Sequence, residues 1–123
     1  MSIIANFFVG IVGLLHVYFL ILEMFLWDKP AGLKAFENNT EAGKKFAADP
    51  KSKSLAANLG LYNGFVAAGL FWSLMLGPAG ISIKLFFLSF VVVAGVFGGV
   101  RRRKILLVQA LPGAVALVLV WLS

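Results

Sequence analysis

Cysteine is absent from the 123 residues, so the chain has no disulfide, no thiol chemistry and no cysteine metal site. Histidine occurs once, at His16, which rules out a multi-histidine metal centre. No phosphate-binding glycine loop, nucleophile elbow or zinc spacing is present. Nothing points to a metal or any other cofactor. Charge is scarce as well, at 13% of residues, with eleven Lys and Arg against five Asp and Glu. The net charge of +6 would suggest nucleic acid in a water-soluble domain. Here the basic residues flank apolar segments, so an anionic membrane surface is the expected partner and nucleic acid is not.

Apolar residues make up 61% of the chain, more than a soluble fold of this size can bury. They are gathered into four stretches at about 3–27, 55–76, 81–100 and 105–122. Each approaches the roughly 20 residues that cross a bilayer core as a helix. The spacing is not the alternation of a membrane strand, and lipid offers backbone groups no water to bond. The expected fold is therefore all-α, a four-helix transmembrane bundle running up-down-up-down in a single domain. The first stretch begins at Ile3 with no basic residues before it and no cleavage signal after it, so it reads as a retained span.

The connections differ in character. Gly77, Pro78 and Gly80 predict a tight turn between the second and third spans, and Arg101 to Lys104 another between the third and fourth. Short turns of this kind join antiparallel neighbours. Residues 28–54 form a longer polar loop. Within it Asn39-Thr40-Glu41 predicts the cap of a short helix carrying Lys44, Lys45 and Phe46. That loop is expected to be partly helical and interfacial, with Phe36 and Phe46 among headgroups and lysines on anionic lipid. Ten of the eleven basic residues lie in loops 28–54 and 101–104, which four spans place on one side. The positive-inside rule makes that side cytoplasmic and leaves both termini outside. Lys84, the eleventh, is expected to snorkel outward along its stem. Trp27 and Trp121 fall where interfacial aromatics anchor spans.

Polar groups inside spans are costly and tend to mark function. The first span holds His16 and Glu23, seven residues apart and so on one face, roughly 10 Å apart along the axis. The second holds Asn58 and Tyr62, which share a face, and Asn63, about a quarter turn away. The fourth holds Gln109, one turn ahead of Pro112, which cannot donate to the carbonyl of Val108. Glu23, Asn58 and Gln109 each fall about one turn from the inner end of their span. These six residues are the candidate ligand-binding set, a polar layer that opens toward the cytoplasm and narrows to His16. No catalytic residue is assigned. Gly60 with Gly64, and Gly95 with Gly99, have the spacing that lets helix backbones approach, either within the bundle or in a homodimer.

Three readings of the polar layer stay open. It binds a small lipophilic or amphipathic ligand, with Glu23 and His16 doing acid–base work or holding a cation. Alternatively its amides and carboxyl only hold helices together in a non-enzymatic accessory protein. The third reading is a small proton-coupled exporter. The one-sided basic residues disfavour that one, because dual-topology exporters need a weak charge bias.

Several stretches together resemble a known family. They are His16 through Trp27, above all Leu22-Glu23-Met24-Phe25, then Ala57-Asn58 with Gly60-Leu61-Tyr62-Asn63-Gly64-Phe65 and Ala67-Ala68-Gly69-Leu70, and finally Arg103-Lys104-Ile105-Leu106 with Gln109 and Pro112. The chain is similar over nearly its whole length to the small bacterial membrane proteins of the domain of unknown function 1304 family. Leu59 departs from that family's pattern, which has glutamine there. The resemblance implies the four-span fold and brings no substrate with it.

Overall fold

A computed structural model describes residues 2–123, and every regular element among the described residues is helical. Helix α1 covers Ile3–Met24, α2 Pro30–Ala35, α3 Glu41–Ala48 and α4 Pro50–Met75. A 3-10 turn at Gly77–Gly80 leads into α5, Ile81–Gly99. One turn of helix, α6, Arg103–Ile105, runs through a π turn at Leu106–Ala110 into α7, Leu111–Leu122. Four stretches, Ile3–Met24, Pro50–Met75, Gly77–Gly99 and Arg103–Leu122, are long and apolar enough to cross a membrane. This all-α architecture agrees with the expected four-helix bundle.

Local chemistry explains where the helices start and stop. The Ser2 hydroxyl accepts from the backbone N–H of Ile4 at 3.1 Å and Ala5 at 3.3 Å, capping α1. The first span was expected to run to Trp27, but the helix ends at Met24. Pro30 lies just beyond, and the residue before a proline is pushed out of helical geometry. The chain turns instead, with Lys29 donating its backbone N–H to the Leu26 carbonyl at 3.1 Å. Helix α4 starts five residues before the expected boundary, because Pro50 suits a first helical position and Asp49 caps it by accepting from Lys51 N–H at 3.1 Å. Charge marked the expected edge at residue 55, yet lysines and serines do not stop a helix. Gly77 takes φ +59°, a conformation that disfavours other residues, and so closes the turn into α5.

The chain divides into two compact units, one of His16–Phe65 and one of the residues up to Leu15 together with Val66–Ser123. In the second, larger unit Ala5, Val9, Val12, Val66, Leu70, Leu88, Val91, Ala116 and Val120 form a core. Lipid gives little hydrophobic drive for helices to associate, so close van der Waals contact must supply it. Gly95 faces the backbone of Ala110, where a Cβ would lie 2.7 Å from the amide nitrogen. Gly113 faces Val91 in the same pair of helices, with a Cβ there 2.7 Å from Cγ1.

The π turn follows from Pro112. Proline supplies no N–H to the preceding turn, and the helix widens there so that Leu111 N–H reaches the Leu106 carbonyl. Lys84 departs from expectation. It does not snorkel outward but is fully buried, at 0% exposure, donating Nζ to Asn6 Oδ1 at 3.0 Å. Asn6 offers an acceptor within reach of the stem, which solvent would otherwise have to provide.

Candidate functional site

The unit His16–Phe65 is built from the latter part of α1, the connecting segment and the first part of α4. Two glycines on α4 set the approach of these helices. A Cβ at Gly60 would sit 2.5 Å from Met24 Cγ, 3.2 Å from the Leu20 carbonyl oxygen and 3.3 Å from Glu23 Cβ. A Cβ at Gly64 would sit 2.6 Å from Leu20 Cδ1. Ala56, one turn before Gly60, is buried too. This face of small residues is therefore the one that meets α1.

Asn63 borders that face on the side of Ala56, seven residues before it. Its Nδ2 donates to Glu23 Oε1 at 2.5 Å, joining residues forty positions apart. Glu23 is 7% exposed. A carboxyl group offers about four acceptor sites in all. Asn63 is the one side-chain donor it has among the described residues. His16 lies two turns deeper on the same face of α1, 1% exposed, with its ring against Phe19 at a centroid distance of 5.2 Å.

Beyond Glu23 the segment is held against α4. Trp27 Nε1 donates to Ser52 Oγ at 2.8 Å, and Asp28 pairs with Lys53 at 2.9 Å. The Lys53 ammonium keeps the Asp28 carboxyl below its usual range. Phe36 and Phe46 pack around the Trp27 indole, at 5.1 and 6.2 Å between ring centroids. Helix α3 forms as expected, with Thr40 Oγ1 accepting from Gly43 N–H at 3.0 Å.

The structure joins Glu23 to Asn63, the candidate that helical period sets a quarter turn from Asn58 and Tyr62. Asn58 and Tyr62, expected beside Glu23, are exposed, Tyr62 at 59%. They sit on the face of α4 opposite Gly60 and Gly64. The sequence did hold the clue: the glycine pair marks the side that approaches another helix, and of the three polar residues Asn63 lies nearest to it. Gln109 belongs to the larger unit, where its Nε2 donates to the Val91 carbonyl of α5 at 3.2 Å. Its amide donor is thus engaged by α5.

Comparison with protein families gives a match to the family described as Protein of unknown function (DUF1304), over residues 10–121. No curated protein and no solved structure matches the chain.

Proposed function

We propose that this chain, which belongs to the DUF1304 family, is an integral membrane protein that holds a small lipophilic or amphipathic molecule at Glu23. The observation that carries the reading is a nearly buried carboxyl with a single side-chain donor among the described residues, Asn63, and acceptor capacity to spare. A carboxyl placed in a span is costly unless it is paired. A ligand with a cationic or hydrogen-bond-donating head would complete the pairing, and its apolar part would find the surroundings it needs in the spans. Asn63 orients the carboxyl, and Gly60 and Gly64 bring it to that amide.

The site belongs near the cytoplasmic side in this reading. Ten basic residues in segments 28–54 and 101–104 support that orientation. Alkaline phosphatase fused after Ser123 should be active and a fluorescent protein at the same point dark; the reverse would invert the topology.

The ligand reading is tested with dicyclohexylcarbodiimide, an apolar reagent for membrane carboxyls. It should label Glu23 in the wild-type protein. Dodecylamine, a lipophilic cation, should slow that labelling about threefold or more, since even ~1 kcal/mol of binding linkage exceeds a factor of five. Glu23→Gln should fold and take up no label. Labelling that saturating dodecylamine leaves unchanged, or a Glu23→Gln protein that fails to fold, would favour the second reading. In that reading Glu23 and Asn63 only fasten α1 to α4 in an accessory protein, as their direct bond allows.

A further inference from the structure

Asn58 and Tyr62, four residues apart on one face of α4, are both exposed. Neither side chain makes a hydrogen bond among the described residues. Leu61 and Phe65 are exposed beside them. Gly60 and Gly64 turn the opposite face of the helix to Leu20 and Met24, so α1 packs on the far side.

Depth makes the two polar groups costly. Ser52, which accepts from the Trp27 indole, marks the level of an interfacial aromatic. At about 1.5 Å per residue, Asn58 lies about 9 Å deeper along α4 and Tyr62 about 15 Å deeper. The headgroup layer on each side of a bilayer is roughly 5–8 Å thick, so both positions reach the hydrocarbon. Helical side chains lean toward the N-terminus of their helix, which brings the Tyr62 hydroxyl toward the level of Asn58. An amide and a phenol at that level need partners that lipid tails do not offer.

The chemistry of the face selects its cover. An amide and a phenol each donate and accept, so two copies of this face satisfy one another, as a twofold contact requires. Ten of the eleven basic residues lie in segments 28–54 and 101–104, which favours one membrane orientation for every copy. A twofold axis between such copies runs along the membrane normal, and equal residues then meet at equal depth.

We propose that this face of α4 joins two copies of the chain in a parallel dimer. The Asn58 amides bond to each other across the axis, and each Tyr62 hydroxyl bonds to the partner's Asn58. Leu61 and Phe65 fill the contact around them. Gly60 and Gly64 are engaged within each chain and take no part. No substitution in the test touches Glu23 or Asn63, so the reading of that pair stands or falls separately.

The test uses the full chain in vesicles of phosphatidylcholine and phosphatidylglycerol. The chain has no cysteine, so introduced ones report without background. Chains labelled at Ser123→Cys with donor or acceptor dye should show energy transfer above that of randomly spread chains, falling as lipid dilutes them. Asn58→Leu and Tyr62→Phe should each raise the dissociation constant about fivefold or more. Both side chains point away from α1, so the single chain should fold in either variant, and Tyr62→Phe decides alone if Asn58→Leu is not recovered. Oxidation should cross-link Ser54→Cys, one turn before Asn58 and exposed, and should leave Phe86→Cys on the exposed side of α5 uncoupled. Transfer no greater than random, transfer that both substitutions leave unchanged, or equal cross-linking at the two cysteines overturns the proposal.

Discussion

Asn63→Leu should destabilise the protein by about 1–2 kcal/mol, whereas Asn58→Leu should be close to neutral or stabilising. The two asparagines sit five residues apart on α4 and look equivalent in sequence. Asn63 Nδ2 is the donor to a nearly buried Glu23, so removing it strands a carboxyl that has no other side-chain donor among the described residues. Asn58 is exposed, and leucine suits a lipid-facing position better than an amide does. The expected cost for Asn63 is kept modest because hydrogen bonds between membrane helices average well under the value first assigned to them. Reversible unfolding in mixed micelles with rising sodium dodecyl sulfate measures both variants. Equal effects at the two positions would mean that Glu23 does not depend on Asn63.

Gly95→Leu should have the larger effect, about 3 kcal/mol or loss of folded protein. A Cβ at this position would lie 2.7 Å from the backbone nitrogen of Ala110, 2.9 Å from its Cα and 2.9 Å from its Cβ. A side-chain tip can move aside, but a backbone held in a helix cannot without shifting α7 from α5. That shift would also break the Gln109 bond to the Val91 carbonyl and open the contact of Gly113 with Val91. Gly98→Leu is the control, because its nearest neighbours are side-chain methyls of Ile105, at 3.3 and 3.4 Å, and no backbone atom. Yield of monodisperse protein after detergent extraction separates the two: Gly98→Leu should be recovered and Gly95→Leu should not.

The sequence made the spans readable because the bilayer imposes one length and one composition on each of them. The ends were less readable. Charge stops at residue 55, but α4 begins at Pro50 because Asp49 caps it, and capping is a matter of one side chain and one N–H. The site was read in part. Glu23 and His16 were found because polar groups in a span stand out and their spacing puts them on one face. Asn63 is in the candidate set but a quarter turn from Asn58 and Tyr62, and helical period shows which residues share a face but not which face meets a neighbour. The contact of Gly60 and Gly64 with Leu20 and Met24 supplies that missing direction. Lys84 differs from expectation for a similar reason. A long stem near a helix end was expected to reach water, and nothing local announced that Asn6, 78 residues away, would hold it.

A thermodynamic cycle on Glu23→Leu, Asn63→Leu and the double substitution, read by the same micelle unfolding, tests the central pairing most directly. Two side chains that lean on each other should give a double variant about 1 kcal/mol or more stabler than the sum of the single losses. Losses that simply add would show the carboxyl and the amide acting separately, and α1 and α4 would then owe their approach to the glycines alone.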